Sequence, residues 1–214
     1  MRYPKLRELK EAIKALIEGP YTSKFPYEPH KPYERFRGKP EFHEEDCMGC
    51  GACFQVCPAK AIEMQDKGNK RILTLNLDMC IFCGQCQANC PTEKGIILSS
   101  EFDLATTGKR EDLKQEIKKE LLLCECCQEA IAPYDQIIWV SKKLGPLCFS
   151  NTSLMLSYLR NFPAIAGSRP ILNDLREALT LEGQPSPKEK CEFMRSDRIK
   201  ILCPRCRREA VLKS

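Results

Sequence analysis

Eight of the fifteen cysteines in this 214-residue chain fall into two runs of identical spacing. The first is Cys47-Met48-Gly49-Cys50-Gly51-Ala52-Cys53-Phe54-Gln55-Val56-Cys57-Pro58. The second is Cys80-Ile81-Phe82-Cys83-Gly84-Gln85-Cys86-Gln87-Ala88-Asn89-Cys90-Pro91. Thiolates are soft ligands, and four converging on one centre suit zinc or an iron–sulfur cubane. Two zinc knuckles or a disulfide framework would also use clustered cysteines. Neither requires C-x2-C-x2-C-x3-C-P twice, whereas a pair of [4Fe–4S] clusters does. The chemistry implied is one-electron relay.

This spacing resembles that of bacterial-type ferredoxins, in which the fourth Cys of each run ligates the other cluster. The resemblance assigns Cys47, Cys50, Cys53 and Cys90 to the first cluster. It assigns Cys80, Cys83, Cys86 and Cys57 to the second. Gly51 and Gly84, each directly after a ligand, allow the loop backbone to approach the cluster. Ile62, Ile81, Phe82, Ile96 and Ile97 are the expected apolar wall, which would exclude water and help set the potential.

The elements that must position these loops can be read around them. Residues 5–18 predict an amphipathic helix, with Leu6, Leu9, Ile13, Leu16 and Ile17 on one face and Gly19-Pro20 ending it. A proline-rich strap follows from Pro20 to Pro40 and is expected to lie extended. Between the cysteine runs, Arg71–Leu77 alternates apolar and polar residues after the turn signal Gly68-Asn69. With Ala61–Met64 as its partner, it predicts a β-hairpin. Gly95–Leu98 is a further strand. Residues 110–123 read as a helix, because Leu113, Ile117 and Leu121 lie four apart. Helices are also expected at about 149–161 and 171–182.

A second set of cysteines lies in the tail. Cys124, Cys127, Cys203 and Cys206 form two C-x2-C pairs that suit a tetrahedral structural zinc, although the separation between the pairs is unusually wide. Cys126, Cys148 and Cys191 remain over. They are either incidental buried thiols or ligands of a third centre or of a rearranged zinc site. His30 and His43 lack a metal partner at a suggestive spacing and read as surface residues. The expected class is α+β: a two-[4Fe–4S] ferredoxin-like domain at 41–100, preceded by a helix and strap at 1–40. A linker helix at 101–123 leads to a small helical zinc-binding domain at 124–214.

Composition narrows the setting. Cysteines grouped at ligand spacings point to a reducing compartment rather than a disulfide scaffold. Met1–Lys14 has no apolar core of a secretory signal, and no apolar run approaches the ~20 residues that span a bilayer. A peripheral, cytoplasmic protein is expected. The formal charge of +5 treats every Cys as neutral. Two clusters and one zinc, each with four thiolates, would contribute roughly −2 apiece and bring the chain near neutrality. The Arg205, Arg207 and Arg208 group is then a solvated or subunit-facing patch, and no nucleic-acid partner is expected.

A longer set of residues resembles the two-cluster ferredoxin-type subunit of complex I and of related membrane-bound [NiFe] hydrogenases. It comprises Tyr27-Glu28-Pro29, Phe36-Arg37-Gly38-Lys39-Pro40-Glu41, the second cysteine run through Thr92, Glu101–Ala105 and Arg110–Leu113. The cysteine-bearing tail, Leu123–Cys127 and Cys203–Arg208, is similar to the extended subunit of formate hydrogenlyase. Its first pair is compressed, and its helical insertion is unusual for that branch.

The resemblance implies an oxidoreductase subunit without a catalytic site of its own, on the cytoplasmic face of the cell membrane. Its implied partners are the hydrogenase small and large subunits, a membrane-embedded subunit and an upstream electron-donor module. A complex I-like relative that reduces quinone or polysulfide is the nearest alternative. A freestanding ferredoxin needs only the central ~60 residues and leaves the helix, strap and tail unexplained.

Overall fold

The computed structural model describes residues 5–19, 22–160 and 199–213. The chain divides into two units, residues 1–36 and 37–214.

In the first unit, α1 (Leu6–Glu18) forms where the 3.6-residue periodicity places it. Glu8 accepts a 3.1 Å hydrogen bond from the Lys5 backbone N–H, occupying a donor that the first turn would otherwise leave open. Gly19, at φ 82°, ends the helix in a conformation that disfavours other residues. The apolar stripe is exposed, Leu6 at 86% and Ile17 at 80%. Residues 22–36 carry turns but no helix or strand.

The second unit opens with the end of the strap. Gly38 N–H donates to Ser99 carbonyl at 3.1 Å, and Lys39 N–H to Glu101 carbonyl at 2.8 Å. A side chain at Gly38 would collide with both of those carbonyls. From there β1 (Pro40–Phe42) pairs antiparallel with β4 (Ile96–Leu98). The strand expected at 95–98 is therefore present, and its partner is the last segment of the strap.

The hairpin between the cysteine runs also forms, as β2 (Ile62–Lys67) and β3 (Lys70–Asn76). Gly68 adopts φ 59° at its turn. The expected linker helix does not form. Arg110–Leu113 makes a single 3₁₀ turn, and Lys114–Leu123 is a ten-residue strand, β5, antiparallel to β3.

The reason lies in the spacing. Positions 113, 117 and 121 are four apart, which fits a helical stripe and also every second inward position of a strand. Gln115 and Lys119 occupy the inward positions between them, half-buried and buried respectively. The outward residues Lys114, Glu116, Lys118 and Glu120 are exposed. That is a period of two.

Strand β6 (Ala130–Pro133) pairs with β5, giving an antiparallel sheet in the order β2-β3-β5-β6. Ile62, Leu73, Leu75 and Ile117 project from it into a core shared with Phe42, Ile96 and Cys53. Two short helices, α2 (Ala52–Val56) and α3 (Gln85–Ala88), begin just after the second ligand of each cysteine run and carry the third.

Beyond β6 come α4 (Tyr134–Leu144), a 3₁₀ segment (Gly145–Ser150), α5 (Thr152–Arg160) and α6 (Pro204–Lys213). Helix α5 answers to the expected 149–161 element. It starts later because Asn151 caps it, its Oδ1 accepting from Leu154 N–H at 3.1 Å. The helix expected at 171–182 and Cys191 lie outside the described residues. The tail is also less purely helical than expected, since its first cysteines lie on the turn between β5 and β6. No helix among the described residues is long and apolar enough to cross a membrane.

Candidate metal centres

Each cysteine run forms a tight loop with two left-handed residues, Gly49 and Gly51 in the first and Phe82 and Gly84 in the second. Gly51 and Gly84 adopt φ 78° and 77° and cap α2 and α3, so both loops turn the same way into a short helix. Two separate cavities result. One is lined by Cys47, Cys50, Cys53 and Cys90, walled by Phe42, Leu73 and Ile96. The other is lined by Cys57, Cys80, Cys83 and Cys86, walled by Ile62, Leu75 and Leu98. Three sulfurs of each set come from one run and the fourth from the other. The fold crosses the runs because α2 carries Cys57 away from its own loop, as α3 carries Cys90 from the second.

The electrostatics favour cationic occupants. Burial pushes the Cys53 thiol up to about 12, helped by the neighbouring Cys47 and Cys50 sulfurs. Burial likewise pushes Cys86 up to about 11, and raises Cys47 and Cys80. Thiols held this way give up their protons to a metal, not to water at neutral pH.

The sulfurs also receive local donors. Ala61 N–H donates to Cys57 Sγ at 3.3 Å, and Phe82 N–H to Cys80 Sγ at 3.4 Å. Such donors are among the protein's means of setting a cluster potential. The donor set, its two-by-four grouping and the apolar walls all fit a pair of [4Fe–4S] clusters.

Of the expected wall residues, Ile62 and Ile96 are fully buried, while Ile97 and Phe82 are half-buried. Ile81 departs from expectation. It lines the second cavity yet is 62% exposed, because the loop turns it outward between two ligands. Thr92, by contrast, gained no role from the sequence beyond its place in a motif. Its Oγ1 lies 3.3 Å from Cys90 Sγ and accepts from Gly95 N–H at 3.0 Å, fixing the loop that delivers the crossing ligand. His30 and His43 are exposed, as expected.

The tail cysteines also converge. The sulfurs of Cys124, Cys127, Cys203 and Cys206 all lie within 4.8 Å of one another, with Cys127 and Cys203 at 3.7 Å. A zinc tetrahedron with about 2.3 Å bonds has sulfur–sulfur edges of about 3.8 Å, so the set is close to that shape.

The first pair sits on the turn between β5 and β6, where Gln128 adopts φ 60° and Cys124 N–H donates to Glu129 carbonyl at 2.9 Å. The second pair starts α6, with Pro204 as its first residue. Burial pushes on Cys124, but the N–H groups of Cys203, Cys127 and Cys126 outweigh it and hold that thiol below its ordinary value. Burial raises Cys203 and Cys206. Cys126 is disulfide-bonded. Cys148 is buried and directs its sulfur at Ser141 carbonyl, so neither joins the tetrad.

Comparison with known proteins agrees with this geometry. The 4Fe–4S dicluster domain family matches residues 46–94. NADH-quinone oxidoreductase subunit I 2 of Geobacter metallireducens is 35% identical over 122 residues, covering 52% of this chain and 92% of that protein. Formate hydrogenlyase subunit 6 of Escherichia coli is 38% identical over 130 residues, covering 60% of this chain and 70% of that one. NAD(P)H-quinone oxidoreductase subunit I of Gloeobacter violaceus is 32% identical over 99 residues, 43% of this chain. The chain spans about half of that protein's length, 47%. With the dicluster loops and these two well-covered relatives in hand, the chain belongs to the family of iron–sulfur electron-transfer subunits that contains NADH-quinone oxidoreductase subunit I and formate hydrogenlyase subunit 6.

Proposed function

We propose that this chain is the two-cluster relay of a membrane-bound [NiFe] hydrogenase of the formate hydrogenlyase type. Cys47, Cys50, Cys53 and Cys90 hold the first cluster, and Cys57, Cys80, Cys83 and Cys86 the second. The observation that carries the reading is the division of the eight sulfurs between two cavities, each completed by the other run. When bound, such clusters each carry one electron at a time. The chain's own part is to fix the sulfurs, exclude water with Phe42, Leu73, Ile62 and Leu75, and keep both centres in one rigid core.

Cys124, Cys127, Cys203 and Cys206 hold a structural zinc that pins α6 to the β5–β6 turn. The resemblance of this tail to formate hydrogenlyase favours the hydrogenase over a complex I-like dehydrogenase. The partners are then an upstream donor module, the small subunit that accepts the electron, the Ni–Fe large subunit and a membrane-embedded subunit. The exposed apolar stripe of α1 supports docking of this kind, at the cytoplasmic face of the membrane.

Metal analysis of the native, anaerobically purified complex tests the reading. About eight Fe and one Zn per copy, with nickel from a partner, are expected. An iron-free chain overturns the relay. A nickel-free complex that reduces quinone moves the chain to the dehydrogenase branch, where the well-covered Geobacter relative already lies.

A further inference from the structure

Two cations, the buried Lys119 and the half-buried Arg71, stand against the first cysteine loop. Lys119, on β5, is 9% exposed and hydrogen-bonds through Nζ to Glu44 carbonyl and to Asp135 Oδ2, the latter at 2.9 Å. Its stem packs on the loop itself, since a Cβ on Gly49 would meet Lys119 Cβ and Cγ at 3.0 Å. Arg71 is its directly opposed partner across β3 and β5. Arg71 donates from Nη1 to Gly49 carbonyl at 3.2 Å and makes a two-pronged contact with Asp66 at 2.8 and 2.9 Å.

Like charges directly opposed on a sheet cost stability. Their carboxylate partners offset that cost but do not cancel the field near the loop. The side chains of Lys119 and Arg71 are only 10% and 14% exposed, whereas those of Asp135 and Asp66 are 49% and 35% exposed. Water screens the acids more than the bases. The second loop is served differently. There Arg37 donates to Cys83 carbonyl at 3.1 Å from an exposed position.

We infer that Lys119, seconded by Arg71, is a tuning residue that raises the potential of the first cluster. The inference rests on the cluster assignment proposed above. Adding one electron takes a four-thiolate cubane from about −2 to about −3, and net charge is one determinant of its potential. A buried positive charge favours the more negative state. The charge therefore eases reduction of the cluster on the Cys47 side.

EPR-monitored potentiometric titration of the intact complex, with dithionite and mediators as the one-electron source, tests this. Cys50→Ser identifies the first cluster's signal whichever way the fourth ligands cross. Lys119→Met should lower that cluster's potential by about 59 mV, a tenfold change in its one-electron equilibrium, and leave the other unmoved. Lys119→Arg should restore it. Asp135→Asn should move the same signal upward, and this opposite sign carries the test if Lys119→Met fails to assemble.

Equal shifts in both clusters, or none in either, would overturn the inference while leaving the relay intact. Absence of two cluster signals in the unaltered complex would instead remove the relay itself.

Discussion

Met64 Sδ occupies the space that a side chain at Gly51 would need, 2.7 Å from where its Cβ would stand. The hairpin thus closes over the first cysteine loop at a point where the backbone has no room to spare. At Gly84, the corresponding place in the second loop, the nearest neighbour is Arg37 at 3.8 Å.

The two glycines separate backbone strain from collision. Both sit at positive φ, so alanine at either position should cost about 1–2 kcal/mol from conformation alone. Gly51→Ala also collides with Met64 and should cost more, with loss of first-cluster signal. Adding Met64→Ala should return Gly51→Ala only to the level of Gly84→Ala. Thermal unfolding of the four proteins, read with iron content, makes the comparison. Identical losses in the two single variants would show that the hairpin yields freely.

The crossed ligation proposed above makes a second forecast. Cys57→Ser should perturb the cluster held by Cys80, Cys83 and Cys86 more than the one beside it in sequence. Cys90→Ser should do the reverse. Low-temperature EPR resolves the two signals, and damage confined to the sequence-adjacent cluster would refute the crossing.

Lys39 supplies a pH dependence. Its ammonium is raised above its ordinary value by the hydrogen bond to Glu101, at 3.1 Å, and further by Glu41, despite some burial. A folded-state value above the unfolded one gives stability that is complete below about pH 10.5 and fades as pH rises through the folded value. Lys39→Met should therefore lower stability by up to about 1 kcal/mol at pH 7–9, with the gap closing at more alkaline pH. A gap that widens above pH 10.5 would contradict the assignment.

The zinc site proposed for the tail makes a further forecast. Cys206→Ala should remove one zinc, release α6 to limited proteolysis, and leave both cluster spectra in place. Loss of iron in step with zinc would mean the two regions do not fold separately.

Much of the chemistry was legible because ligand spacing is a one-dimensional signal. The two cysteine runs, each tail C-x2-C pair, the 62–76 hairpin and α1 all follow from residues close in sequence. What escaped was set by distant partners. Positions 113, 117 and 121 satisfy a period of four and a period of two alike, and only β3 alongside selects the strand. Nothing in the sequence sets Lys119 apart from the lysines around it. Its role emerges only when Glu44, Gly49 and Asp135 close around it. Ile81 misled in the opposite sense, as an apolar residue that the loop turns toward solvent.

Because β5 runs from the hairpin edge directly into Cys124, one strand serves as the ruler for both metal regions. A single residue inserted or deleted between Lys114 and Lys119 would reverse the faces of everything beyond it. Lys119 would turn to water, a glutamate or lysine neighbour would face the core, and Cys124 would arrive pointing away from Cys203. Length in this segment is therefore far less negotiable than composition on its outer side.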